Sequence, residues 1–305
     1  MMTDCVTLGL RVDVDTRAGL REGVPRLLHL FRKYQVRATF FITFGPDHAG
    51  RALRRLWQPG FLAKMLRTNP LKLYGLRTLF SGTLLPSRPV GEGEPELLRT
   101  IEGEGHELGI HGYDHFHWQD RIEKMTEGEI EAAFRKAKGA YEEVLGVAPA
   151  SSAAPGWRCT LSVLETQEQM KFLYASDVRG SFPFLPSFSN RSFRTLQLPT
   201  TLPTLDELLG REPRINAFLI SSLKKWFNVH TVHAEVEGQS HLRLFEEFLK
   251  TVLEQGVRVT RLCDIAKEVL EGKQESIPRM AVEKGTVPGR SGWVACQGEK
   301  LEELP

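Results

Sequence analysis

Two aspartates separated by one residue, Asp13 and Asp15 in LRVDVDT (10–16), and two histidines separated by three, His111 and His115 in GIHGYDHFHW (109–118), have the types and spacing for chemistry. On a strand, an i, i+2 pair points both carboxylates to one face. One can bind a cation while the other accepts a proton from a water activated beside it. The H-x3-H spacing lets two imidazoles meet one metal from a helical turn. Two histidines and one carboxylate leave room for water, a donor set that suits Zn²⁺, Mn²⁺ or Co²⁺ in hydrolysis. His233, in HTVHAEVEG (230–238), is then available as a general acid for a leaving group. Asp114 and His117 can orient the ligands. Each feature alone has a plainer reading: turn or cap aspartates, a chance pair among nine histidines, or a satisfied histidine at a strand end.

These residues need elements to carry them. VTLGLRVDV (6–14) reads as a first strand, followed by a helix from Arg17 to Tyr34 with Leu20, Val24, Leu27, Leu28 and Phe31 on one face. ATFFITFG (38–45) reads as a second strand, ELLRTIEGEG (96–105) as a short helix and HELGIH (106–111) as a third strand. A long amphipathic helix over 126–146 is acidic early and lysine-bearing later, as the helix dipole prefers. Further strands are expected at 148–154, 171–177, 228–235 and 256–262, with a helix over 241–256. Strand and helix alternating in this way predict a parallel α/β sheet, as a barrel or doubly wound. In such sheets the carboxyl ends of the strands form the active-site rim. Asp13 and Asp15, His111, Asp177 and His233 all fall at expected strand ends.

The bulk composition sets outer bounds. With 305 residues, 41% hydrophobic and 26% charged, the chain can bury a substantial core. Its four cysteines, Cys5, Cys159, Cys263 and Cys296, form no C-x-x-C pair, which points to reduced thiols rather than a disulfide framework or a cysteine zinc site. No secretory signal is recognised, and no uncharged apolar run is long enough to span a bilayer. A soluble or peripheral protein is expected. Net charge is only +2, yet no Asp or Glu occurs from His48 to Gly91, where Arg51, Arg54, Arg55, Lys64, Arg67, Lys72, Arg77 and Arg88 interleave with residues such as Trp57, Phe61 and Leu62. Such a stretch suits an anionic lipid surface, or it is a helical insertion with leucines inward and arginines outward. FLISSLKKWF (218–227) is a shorter example. No nucleic-acid motif accompanies the charge, so nucleic acid is not an expected partner.

The combination of D-V-D, H-x3-H, the turn Ala154-Pro155-Gly156-Trp157, an Asp after a strand and a late His resembles the polysaccharide deacetylase family. The stretches REGVPRLL (21–28), GWR (156–158), SDVRG (176–180), LPTTLPTLDE (198–207), HAEVEG (233–238) and GRSGW (289–293) are similar to one subgroup, the 4-deoxy-4-formamido-L-arabinose-phosphoundecaprenol deformylases. The resemblance runs from Leu10 to Trp293. It implies a distorted (β/α) barrel as a single domain: residues 1–270 catalytic, with the basic amphipathic insertion at about 48–91, and 271–305 a C-terminal tail. It implies Asp13 as catalytic base, Asp15, His111 and His115 as ligands of one divalent metal (zinc first, manganese or cobalt otherwise), and His233 as the acid that protonates the departing nitrogen. The reaction implied is hydrolysis of the formamide of 4-deoxy-4-formamido-L-arabinose on undecaprenyl phosphate. Its products are formate and the 4-amino sugar lipid used in lipid A modification and polymyxin resistance.

The family motif carries an arginine that orients the base where this chain has Ala153; Arg158 or Arg11 can take its place. Backbone N–H groups of the 155–157 turn are expected at the oxyanion. Pro155, Gly156, Trp157, Arg158, Asp177, Arg179, Glu235 and Glu237 are expected substrate contacts. Arg51, Arg54, Arg55, Trp57, Lys64 and Arg67 are expected to dock the protein on the cytoplasmic face of the inner membrane. The rival readings are an N-deacetylase of another amino sugar or glycan, a non-catalytic lipid- or glycan-binding module, and a phosphoesterase. The last normally needs a second metal with more ligands than the sequence supplies.

Overall fold

The computed structural model describes residues 6–50, 87–188, 191–272 and 276–300. Its organising strand is β1 (Thr7–Val14), buried along its whole length, as a parallel strand covered on both faces should be. Leu8, Leu10, Val12 and Val14 share one apolar cluster with Leu20, Leu27 and Phe31, which follow in sequence. Arg11 and Asp13 face the other way. There the Arg11 guanidinium lies 5.3 Å from the ring centre of Phe41, a member of a second cluster with Tyr174, Leu196 and Val229. The pleat of one strand thus separates the layer between sheet and helices from the barrel interior.

Helix α1 (Val24–Tyr34) has proline in its first turn and ends at Gln35 in the left-handed region, φ 54°. The wide helical turn before it, Gly19–Gly23, needs its last glycine: a Cβ on Gly23 would stand 1.9 Å from the Ala234 carbonyl oxygen. In chain order there follow β2 (Thr39–Ile42), α2 (Pro95–Gly103), β3 (Glu107–Ile110), α3 (His115–Arg121), α4 (Glu127–Leu145), β4 (Ser151–Ser152), α5 (Leu161–Gln169) and β5 (Tyr174–Ala175). Next come β6 (Leu185–Phe188), β7 (Arg191–Ser192), β8 (Leu196–Gln197), α6 (Leu205–Leu208), α7 (Ile215–Ser221), β9 (Asn228–His233) and α8 (Leu242–Glu254). The chain closes with β10 (Arg258–Thr260), α9 (Leu262–Glu271), β11 (Arg279–Gly285) and β12 (Val294–Lys300). The long helix expected over 126–146 is α4, bounded by a Thr126/Glu129 capping box and by Gly146 at φ 72°.

The main sheet runs β10-β1-β2-β3-β4-β5-β8, with β9 also paired to β1, and all its ladders are parallel. Beyond β8, the N–H groups of Thr201 and Leu202 donate to the Val229 carbonyl of β9, at 3.1 and 3.2 Å. This draws the far end of the sheet back toward β9 and curls it into the expected distorted barrel.

The C-terminal segment departs from the expected tail. β11 and β12 form an antiparallel pair, and β11 adds in parallel to β6 in a second sheet ordered β12-β11-β6-β7. Strands rich in Glu, Lys and Gly carry weak periodicity, and their pairing with each other and with β6, about a hundred residues earlier, makes them strands. Among the described residues, no helix is long and apolar enough to cross a membrane.

Candidate active site

Asp13 and His233 are register partners on β1 and β9, so adjacent parallel strands hold them side by side. Asp15 lies just past the end of β1. Its N–H, with the N–H and hydroxyl of Thr16, donates to Glu235 Oε1 at 2.8, 2.7 and 2.9 Å. Glu235 therefore fixes the loop on which Asp15 sits. His111 follows β3 and extends the ladder through its N–H, 2.8 Å from the Ile42 carbonyl oxygen. Gly112 then turns the chain at φ 74°, and Asp114 caps α3 by accepting the His117 N–H at 2.9 Å. His115 is the first residue of that helix. The H-x3-H pair thus spans a strand end, a glycine turn and a helix start, not the single helical turn expected from the spacing. Asp114 orients His115 by capping and also meets His48 Nδ1 at 2.7 Å, whereas His117 is exposed.

The three candidate ligands converge. His111 Nε2 lies 3.2 Å from Asp15 Oδ1, and His115 Nε2 lies 3.3 Å from Asp15 Oδ2. One ligand atom from each residue falls within 4.8 Å of the others. His111 Nδ1 is 2.9 Å from the Ala153 carbonyl oxygen. That oxygen only accepts, so Nδ1 carries the proton and, in the neutral ring, Nε2 turns a lone pair toward the carboxylate. Asp15 Oδ1 is buried without a hydrogen-bond partner. Lone pairs gathered around an unsatisfied buried carboxylate oxygen fit a divalent cation, and the separations suit neighbouring ligands with bonds of about 2.1 Å. Burial alone would raise the Asp15 carboxyl, but the charges of His115 and His111 outweigh it and hold the group well below the usual range.

Asp13 is gripped rather than coordinated. Arg11 Nε donates to Oδ1 and Arg11 Nη2 to Oδ2, both at 2.7 Å, a two-pronged pair on one strand. Arg11 Nη1 donates to the carbonyl and hydroxyl oxygens of Ser176, and the guanidinium lies 5.1 Å from the Trp157 ring centre. The arginine missing at Ala153 therefore has a counterpart beside Asp13 in Arg11. Arg158 is elsewhere, 4.5 Å from the Trp293 ring centre. Burial pushes the Asp13 carboxyl up, while Arg11 and then His111 more than offset this and leave it lowered.

The 155–157 turn closes the site beside Gly112. Gly156 and Trp157 are both left-handed, with φ 61° and 56°. A Cβ on Gly156 would lie 2.4 Å from Gln119 Nε2. The Trp157 and Arg158 N–H groups bond to the Ala154 and Pro155 carbonyls, and proline has no N–H. Among the described residues, the Gly156 N–H has no hydrogen-bond acceptor.

Four expected substrate contacts are engaged within the protein itself. Asp177 is fully buried and accepts from Ala154 N–H, Gln167 Nε2 and Gln197 Nε2 at 2.7, 2.8 and 2.9 Å. Arg179 pairs with Glu207 at 2.7 Å and donates to the Leu202 carbonyl at 3.0 Å. Glu235 holds the Asp15 loop. Glu237, 2% exposed, accepts the His233 N–H at 2.8 Å, and burial pushes its carboxyl up to about 7. Polar residues near strand ends look alike in sequence whether they face solvent or a backbone amide; only packing separates them. Pro155, Gly156 and Trp157 are buried and Arg158 partly so. Arg51, Arg54, Arg55, Trp57, Lys64 and Arg67 lie outside the described residues. In the second basic stretch, Phe218 and Trp226 are 39% and 43% exposed, and Lys224 and Lys225 are exposed between them.

Comparison with known proteins matches residues 4–175 to the model of the polysaccharide deacetylase family. The chain is 36% identical to the probable 4-deoxy-4-formamido-L-arabinose-phosphoundecaprenol deformylase of Shewanella sediminis, over 97% of this chain and 96% of that one. It is 38% identical to the protein of the same description from Wigglesworthia glossinidia brevipalpis, over 92% and 98%. Among solved structures, a Mycobacterium smegmatis protein assigned to the polysaccharide deacetylases superposes with a TM-score of 0.61 at 18% identity, over 94% and 97% of the two chains. A CE4 family pseudoenzyme from Bacillus anthracis does so with 0.53 at 14%, over 87% and 66%. The fold by itself therefore does not establish activity, and the side chains must carry any assignment.

Proposed function

The chain belongs to the polysaccharide deacetylase family, and from that premise we propose that it hydrolyses the formamide of 4-deoxy-4-formamido-L-arabinose carried on undecaprenyl phosphate. The products are formate and a free 4-amino sugar lipid. The observation that carries this reading is the joint presence of a gripped base, Asp13, a three-residue cation cage and a strand-end histidine, His233, in a chain similar along nearly its whole length to proteins described as that deformylase.

Asp15, His111 and His115 would hold the divalent metal, with zinc favoured by two imidazoles and one carboxylate, and manganese or cobalt tolerated. When bound, it supplies Lewis acidity toward the formyl oxygen and lowers the pKa of a water. Asp13, held by both oxygens, takes a proton from the attacking water. The Gly156 N–H is the turn's available donor for the developing oxyanion. His233, fixed by Glu237 through its own backbone, delivers a proton to the nitrogen as the C–N bond breaks; an unprotonated amine leaves poorly. A non-catalytic module does not need base, cage and acid together.

The lipid-linked substrate calls for a peripheral position on the cytoplasmic face of the inner membrane. Exposed Phe218 and Trp226 around Lys224 and Lys225 support this reading, because aromatic insertion and basic charge act together at anionic lipid. The acid-free stretch 48–91 would add to that contact.

The test is formate release from the formamido-arabinose phospholipid. Metal-loaded protein should release formate, chelated protein should not, and Asp13→Ala and His233→Ala should each lose about 10²-fold or more. Acetate release from an N-acetylated sugar with no formate release would replace this reading with the deacetylase one.

A further inference from the structure

The GRSGW stretch (289–293) plays no part in the reaction just described, yet it is built tightly against the barrel. Gly289 has φ 87°, and a Cβ there would stand 2.3 Å from the Glu207 carbonyl oxygen. The strand that follows is tied in through Arg179, whose N–H donates to the Ala295 carbonyl at 2.9 Å and whose carbonyl accepts the Gln297 N–H at 2.8 Å. This close approach places the Arg290 guanidinium 4.5 Å from the Trp157 ring centre. The same buried indole carries Arg11 and Arg179, each at 5.1 Å.

The three cations are not equally matched. Arg11 has the Asp13 carboxylate at 2.7 Å on both prongs. Arg179 has Glu207 Oε1 at 2.7 Å. Arg290 approaches that same oxygen at 3.6 Å, beyond hydrogen-bonding distance, while Glu207 Oε2 accepts the Thr204 N–H at 3.1 Å. One carboxylate thus faces two guanidiniums, and Arg290 has the weaker share of it. The Arg290 side chain is 14% exposed, largely stripped of water but reachable.

We propose that Arg290 binds the phosphate of the lipid-linked sugar, so that the C-terminal strand pair makes the enzyme selective for a phosphorylated substrate. The proposal rests on the deformylase reading and deepens it. A planar guanidinium suits two phosphate oxygens. Trp157 acts as the spacer: Arg11, which orients the base, contacts the indole that Arg290 also contacts, much as one sugar ring separates formamide from phosphate.

The test compares wild type, Arg290→Gln and Arg290→Lys, all metal-loaded, on the formamido-arabinose phospholipid and on an uncharged alkyl glycoside of the same sugar. Arg290→Gln should lose about tenfold or more in kcat/KM on the phospholipid, mainly through KM, while its rate on the glycoside stays within about twofold. Arg290→Lys should recover part of the difference. Equal losses on both substrates, or none on either, would overturn the proposal. Calorimetric binding of a short-chain prenyl phosphate separates the two readings. Binding that weakens in Arg290→Gln supports the phosphate site even if wild type releases no formate, and binding unaffected by the substitution removes the site even if it does.

Discussion

Arg11 and Asp13, two residues apart on β1, face each other through a pair of 2.7 Å hydrogen bonds inside the barrel. An i, i+2 pair on a strand normally points outward in parallel. Here the arginine's length and planar fork let it fold over the same face and take both carboxylate oxygens. Phe41 and Trp157 against the guanidinium keep it there.

Arg11→Lys should preserve the charge but lose the fork. Formate release is expected to fall about tenfold or more, with a folded far-ultraviolet spectrum retained. Arg11→Met leaves Asp13 buried without its guanidinium partner and should cost about 3–5 kcal/mol of stability. Wild-type rates from Arg11→Lys would show that Asp13 does not need the fork.

The cage should behave as a unit. Asp15→Asn, His111→Ala and His115→Ala are each expected to strip metal from the purified protein, read by elemental analysis after dialysis. Metal affinity in each should fall by a factor of about 10² or more, while Asp13→Asn keeps its metal. Full occupancy in two of the three ligand variants would place the ion elsewhere.

Acid should destabilise the fold through two histidines outside the site. Burial pulls His106 down to about 4 and His230 to about 3 from an ordinary 6.5. Both folded values are depressed, so between 6.5 and those values the unfolded chain binds more protons. Their stabilisation is present above pH 6.5 and is lost as pH falls toward 4 and then 3. Urea melts at pH 7.5 and pH 5 should differ by up to about 2 kcal/mol for each histidine. His106→Gln should remove its share of that difference. Glu237, raised to about 7, acts in the opposite sense: its contribution is present below about 4.5 and lost as pH rises through 7.

Membrane contact can be tested away from the active site. Phe218→Ser with Trp226→Ser should reduce sedimentation with anionic phospholipid vesicles by about fivefold or more, and Lys224→Glu should strengthen the loss at low salt. Turnover of the uncharged glycoside should not change. Undiminished sedimentation would leave the docking role to residues 48–91 or to none.

The alternation of strands and helices was legible along the chain because each element carries its own period: β1 is apolar at Leu8, Leu10, Val12 and Val14, and α4 has its capping box and terminal glycine in sequence. The candidate ligand set was legible in its residue types and spacing: Asp15 and His111 follow strands, and His115 opens α3. What the chain could not show locally was which polar side chains face inward. Asp177, Arg179, Glu235 and Glu237 read like substrate contacts, yet each serves a backbone amide or a buried partner, and for all but Glu237 that partner lies more than twenty residues away. The strands of the C-terminal segment pair with each other and, through β11, with β6. Arg11 is two residues from Asp13 in any conformation, but whether it grips that carboxylate depends on Ser176, Phe41 and Trp157 closing around its guanidinium. Local periodicity follows from backbone geometry and can be read from neighbours in sequence. The direction and partner of a buried charge follow from contacts between distant segments, and only the tertiary structure decides them.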